Sequence, residues 1–155
     1  MKFSAQEEYG LRCLLQIARR GPGASMTIPE ISREEGLSAT HVAKLLTILR
    51  KSGLIRSTRG QSGGYTLSRA AEALPLGEVL AILGGRLYDG DFCSRHAGQF
   101  SVCTHDVDCS VRSLWNTIQS AVDGALAGMT LADLLSGASF DRPARAFVAD
   151  LRTVN

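Results

Sequence analysis

The apolar residues Val42, Leu45, Leu46 and Leu49 fall at i, i+3, i+4 and i+7, which is one face of a helix. Ser38, just ahead of them, suits an N-cap, because its hydroxyl can accept a bond from an orphan N–H of the first turn. The opposite face carries Thr40, His41, Ala43, Lys44, Thr47 and Lys51 and no acid. Gly53 supplies a left-handed stop. Residues 54–58 then read as a short strand and residues 65–67 as its partner, joined by a glycine-rich loop that starts with Arg59. The pattern predicts a recognition helix followed by a β-hairpin wing. A helix sized for the major groove beside a basic loop points to duplex DNA.

The preceding segment completes that unit. Tyr9, Cys13, Leu14 and Ile17 form the apolar stripe of a helix over 5–20, and Glu8 and Arg12 lie one turn apart on its other side. Thr27, Pro29 and Glu30 make a capping-box start for a second helix, which Gly36 ends. Residues 27–52 therefore read as a helix-turn-helix. The fold class expected is mainly α with a small β-hairpin wing, a winged helix-turn-helix followed by a long dimerisation helix.

Further along, residues 68–74 read as a linker with a short helical turn, and Pro75 opens a helix closed by Gly84-Gly85. Residues 88–110 have no usable periodicity. A strong stripe returns at Val111, Leu114, Trp115, Ile118, Val122, Ala125 and Leu126. It is larger than one small winged domain needs, and a copy of itself in a homodimer is the expected cover. Thr130 caps a short helix to Leu135, and a weak helix with Phe147, Val148 and Leu151 is expected in the tail. The segments are thus 1–67 (DNA-binding), 68–87 (linker and connecting helix), 88–110 (cysteine loop), 111–135 (dimerisation and capping helices) and 136–155 (tail).

Charge is divided along the 155 residues. Residues 1–67 hold ten Lys/Arg and five Asp/Glu (+5), and residues 68–155 hold seven Arg and ten Asp/Glu (−3), within a net charge of +2. Only the first part is suited to a polyanion. The N-terminus has no apolar signal core, and no apolar run approaches a membrane span, so a cytoplasmic protein with no membrane partner is expected.

Four cysteines in such a chain suit metal or redox chemistry better than structural disulfides. Cys13 lies on an apolar stripe and reads as a small buried hydrophobe. Cys93, Cys103 and Cys109 follow a C-x9-C-x5-C spacing that could supply thiolate ligands to zinc or an iron–sulfur cluster. Spacing alone leaves a metal centre and free thiols both open.

The combination of Tyr9-Gly10-Leu11-Arg12, Glu30-Ile31-Ser32, the run from Leu49 to Ile55, the wing Arg59-Gly60-Gln61-Ser62-Gly63-Gly64-Tyr65 and three cysteines ahead of Leu114-Trp115 resembles the IscR/NsrR/RirA family of bacterial regulators. The resemblance spans about residues 1–135, and the RGxxGGY wing is its most specific part. It implies a dimeric winged-helix transcription factor that binds a palindromic operator, many members carrying an iron–sulfur cluster whose state alters DNA affinity. By resemblance, Cys93, Cys103 and Cys109 match the cluster cysteines. Two departures stand out. The first gap is longer than in IscR-like members, and their histidine ligand three residues after the last cysteine is Arg112 here. Arginine stays protonated and is not a ligand. Some members use a carboxylate from helix one of the partner subunit; Glu8 sits at that position and is preferred over His96 or His105. A 2Fe-2S centre is favoured over 4Fe-4S.

For DNA, the resemblance places Ser38, Thr40, His41 and Lys44 near the major groove, with Lys44 able to reach guanine and Ser38 and Thr40 contacting phosphates. Arg59 resembles the family's minor-groove arginine. Arg50, Lys51 and Arg56 are candidate phosphate contacts. The alternative keeps the fold and drops the cluster, leaving a thiol-redox or zinc-responsive regulator. An enzyme is disfavoured, because Gly60 to Gly64 lie between two strands and not ahead of a helix, and no catalytic triad order is present.

Overall fold

A computed structural model describes residues 3–60, 63–105 and 109–137. The chain divides into two units, one made of the described residues up to Gly85 and from Gly128 onward, the other of Arg86–Ala127.

The first unit opens with α1, Ala5–Arg19. Its start is a capping box: the Glu7 N–H donates to Ser4 Oγ at 3.2 Å and the Ser4 N–H donates to Glu7 Oε2 at 2.7 Å. Its buried face is Gly10, Cys13, Leu14, Ile17 and Ala18. Helix α2, Ile28–Glu35, begins at the expected Thr27–Glu30 box and stops at Gly36, whose φ of 65° needs the left-handed region. Helix α3, Ala39–Lys51, is N-capped by Ser38, whose Oγ accepts the His41 N–H at 3.2 Å. The residues it buries are Val42, Leu45, Leu46 and Leu49, the four picked out by their spacing. The chain leaves α3 through two bonds, from the Leu54 N–H to Leu49 O (3.0 Å) and from the Gly53 N–H to Arg50 O (3.1 Å). That is a Schellman ending.

The wing pairs β1, Ile55–Thr58, with β2, Gly64–Leu67, antiparallel from Ile55↔Leu67 to Thr58↔Gly64. Tyr65 also exchanges both backbone bonds with Met26, each 2.9 Å, so the base of the wing is tied to the residue preceding the α2 cap. This tie explains Gly64. A Cβ there would stand 2.7 Å from Met26 O, too close for any side chain. Gly63 is constrained likewise, since its Cβ would lie 2.8 Å from Gly60 O.

After a 3-10 turn at Ala71–Ala73, helix α4, Leu76–Gly84, buries Leu76, Val79 and Leu83. Leu83 covers Gly10 so closely that a Cβ at Gly10 would collide with it, which lets α1 and α4 approach. The chain rejoins this unit at Gly128. The Leu76 N–H donates to Met129 O and the Leu131 N–H to Leu74 O, both at 2.9 Å, and the short α7, Leu131–Leu135, buries Leu131 completely. Residues 111–135, read as one segment in the sequence, thus straddle the two units.

In the second unit the aperiodic stretch contains one helical turn, α5, Phe92–Arg95, which the sequence did not signal. Helix α6, Ser110–Leu126, follows with Cys109 as its N-cap. Gln119 is its only buried residue; its side chain accepts the Tyr88 N–H at 3.0 Å and donates to Asp123 at 2.9 Å. Arg86 pairs with Asp123. The apolar stripe of α6 is open: Val111, Leu114 and Trp115 are exposed, and Ile118, Val122 and Leu126 are half-buried. No helix among the described residues is long and apolar enough to cross a membrane. The tail helix expected around Phe147, Val148 and Leu151 lies outside the described residues.

Candidate nucleic-acid interface and cysteine pocket

The outward side of α3 exposes Ser38, Thr40, Lys44, Thr47, Arg50 and Lys51, and the wing exposes Arg56 and Arg59. Among the described residues none of these five basic side chains on α3 and the wing makes an ion pair. Elsewhere in the same unit, Arg12, Arg20, Arg33 and Arg69 are matched by acids, and among the described residues Arg19 is not. Arg12 meets Glu35 at 2.5 Å, Arg69 meets Glu78 at 2.5 Å and Arg20 meets Glu30 at 3.4 Å. A surface whose cations are left without acids is prepared for phosphate.

His41 differs from its neighbours on that face. It is half-buried, with its ring against the edge of Tyr9 (centroids 5.5 Å apart, planes at 89°). Tyr9 in turn lies under the Arg12 guanidinium, 5.5 Å from the ring centroid. Arg12 is held chiefly by Glu35, at the end of α2, which also accepts from the Gln16 amide. Glu35 as hydrogen-bond and charge partner pushes the Arg12 pKa above its ordinary value. The i,i+4 contact with Glu8 is looser, at 3.9 Å. Sequence reading found the Glu8–Arg12 pair but missed Glu35 and Tyr9. The available signal for Glu35 was weak, since it is the second of two adjacent acids just ahead of a helix-ending glycine. Glu8 itself stands mostly exposed on α1.

Cys93, Cys103 and Cys109 are half-buried and line one cavity of about 300 Å³. Its walls include His96, His105, Arg112 and the rings of Phe92 and Trp115. Phe92 stacks on His96 (4.1 Å between centroids, 20° between planes), and His96 Nδ1 lies 2.7 Å from Phe92 O. Among the described residues no three His, Cys, Asp or Glu side chains are drawn together at metal-binding distance. Arg112 reaches the thiols in two ways. Its backbone N–H donates to Cys109 Sγ at 3.3 Å, and its guanidinium has Cys93 as hydrogen-bond and charge partner, which raises the Arg112 pKa. Tyr88 is also pushed up, first by burial and then by Cys93. Cys13 stands apart from this chemistry. It is fully buried in the core of the first unit, and burial pushes its thiol up to about 11.

A family model described as an iron-dependent transcriptional regulator, Rrf2, matches residues 3–137. The chain belongs to the Rrf2 family. It is 34% identical over 139 residues to protein rrf2 of Nitratidesulfovibrio vulgaris, covering 90% of each chain. It is 27% identical over 136 residues to the HTH-type transcriptional regulator IscR of Escherichia coli, covering 88% of this chain and 81% of IscR. Among solved structures, CymR, the global cysteine regulator of B. subtilis, matches with a TM-score of 0.69 at 28% identity over 90% of this chain and 99% of CymR. IscR of T. potens matches with a TM-score of 0.68 at 27% identity, covering 96% of both chains. This Rrf2-family chain is accordingly a winged-helix, DNA-binding transcriptional regulator, and its relatives are regulators and not enzymes.

Proposed function

We propose that this Rrf2-family regulator is a cytoplasmic homodimer that binds a palindromic operator and whose affinity is modulated by an iron–sulfur cluster, 2Fe-2S in preference to 4Fe-4S. The observation that carries the reading is the sorting of the cysteines. Three of the four line one cavity, and the fourth is sealed in the hydrophobic core. The donor set fits such a group: half-buried thiols, aromatic walls and a buried Arg112 Nε that has no hydrogen-bond partner. Cys93, Cys103 and Cys109 would hold the cluster, with Glu8 of the partner subunit as fourth ligand. When bound, the cluster supplies a redox couple and iron open to oxidants or nitric oxide.

On DNA, Lys44 reads guanine in the major groove, with His41 beside it held by Tyr9. Ser38, Thr40, Arg50, Lys51 and Arg56 contact phosphates, and Arg59 enters the minor groove. The dimer forms through Leu114, Trp115, Ile118, Val122 and Leu126 of α6, whose open stripe has the apolar character of an interface core.

A second reading is a cluster-free, thiol-redox or zinc-responsive regulator. The separation of the three thiols within their cavity favours it, and so does the likeness to CymR. The two readings part on anaerobically purified protein, from a visible spectrum with iron, sulfide and zinc content on one sample. Iron and sulfide with a brown colour are expected. Colourless protein with zinc, or with no metal after anaerobic reconstitution, overturns the cluster reading. Glu8→Ala is expected to lower iron retention with the fold intact by circular dichroism; an unchanged spectrum and iron content removes Glu8 from the ligand set.

A further inference from the structure

Arg112 occupies the first turn of α6, three residues beyond Cys109. Its Nη2 donates to His105 O at 3.3 Å, its backbone N–H is spent on Cys109 Sγ, and its Nε is buried with no hydrogen-bond partner. Among the described residues it forms no ion pair with a carboxylate. The other described arginines of this unit do: Arg86 meets Asp123, and Arg95 meets Asp89 at 2.9 Å. Arg112 instead lines one cavity with the Cys93 and Cys109 thiols, and its charge partners there are Cys93 first, then Tyr88 and Cys109. A permanently charged guanidinium has no lone pair to give a metal, and a buried N–H without an acceptor is costly. Both facts suit an anionic sulfur acceptor, which a cysteine thiol becomes when it is deprotonated as a metal ligand.

We propose that Arg112 is a positioning residue of the cluster's outer sphere, donating N–H bonds to the thiolate sulfur of Cys93 and thereby raising the cluster's reduction potential. The inference rests on the cluster reading given above. A donor on sulfur and a fixed positive charge both favour the more negative, reduced state. At the cavity wall this chain places a donor that cannot itself bind a metal. The geometry therefore assigns Arg112 to tuning the potential and leaves ligation to other residues.

The test is a dithionite titration of the reconstituted protein under anaerobic conditions, followed by visible and electron paramagnetic resonance spectra, for wild type, Arg112→Gln and Arg112→Lys. Iron and sulfide content is measured on each sample. Arg112→Gln is expected to keep its iron and sulfide while its reduction equilibrium shifts about tenfold toward the oxidised form, a fall of about 59 mV for a one-electron couple. Arg112→Lys, which keeps the charge and loses the planar donor set, should fall between. Equal midpoints in all three overturn the proposal. So does failure of both variants to hold a cluster, which would make Arg112 a requirement for assembly. A wild type that takes up neither iron nor sulfide fails at the cluster reading itself, a result distinct from unchanged midpoints, and removes this role with it.

Discussion

The two units of this regulator are built on different terms. Every buried apolar side chain among the described residues belongs to the first unit, from Cys13 to Leu83 and again at Leu131. Among the described residues of the second unit the one buried is a glutamine, Gln119, while Val111, Leu114 and Trp115 stand exposed on a seventeen-residue helix. The first unit has its own hydrophobic core, with capped helices and a tethered wing. The second carries its apolar side chains outward and its thiols around a cavity. Apolar burial is the dominant favourable term in folding and in most association. A segment this poor in burial would gain stability from the cluster and the dimer proposed above. The difference separates a DNA-binding unit with a core of its own from a segment whose open apolar stripe and thiol-lined cavity are what the proposed dimer and cluster require.

The largest effect expected from breaking this contrast is in the first core. Leu46→Ala removes a fully buried side chain and should cost about 2–5 kcal/mol, read as a lowered midpoint in urea with an unchanged slope. A cost within experimental scatter would deny that this unit is the stability centre. Next is Leu114→Lys, which adds a charge to the open stripe of α6. At an interface hot spot of about 2 kcal/mol it should raise the dimer dissociation constant roughly 30-fold by analytical ultracentrifugation. An unchanged sedimentation profile would mean that the stripe is ordinary surface. Arg59→Ala should weaken operator binding about tenfold and reduce the slope of affinity against salt by about one, with stability unaffected. Binding equal to wild type across salt concentrations would remove the wing from the DNA interface.

The smallest effect is on acid stability. Glu30 and Asp133 both close capping boxes, and the Thr27 and Thr130 backbone N–H groups hold their carboxyls below the usual range. A depressed folded-state pKa stabilises above the unfolded value and is lost as pH falls through the folded one. Stability should therefore begin to fall near pH 4, about the unfolded values of Glu and Asp, and continue downward. Glu30→Gln should flatten part of that decline in the first unit. An identical pH profile for the variant would show that the box carries no pH-dependent stability.

Much of the first unit was legible because its signals are local. Helical spacing selected the four residues α3 buries, and Ser38, Thr27, Gly36 and Gly53 marked its ends and those of α2. The Met26–Tyr65 bridge was not legible. It joins backbone groups far apart in sequence, and only the glycine at position 64 hinted at a close approach. In the second unit, α5 is a single turn without an apolar period, so it left no trace. The cysteines could be named from their spacing, and the structure sets them around one cavity. Arg112 could only be read as a ligand lost, because the absence of an acid facing it is a property of three dimensions.

The Met26–Tyr65 bridge carries a further consequence. A two-stranded ribbon offers two open edges, and an open edge is a template for joining another chain. At Tyr65 the outer edge of β2 is already taken by Met26, so the wing is guarded there against strand addition by its own chain. With that edge occupied, the wing could be held near a copy of itself with less risk of the two sheets fusing.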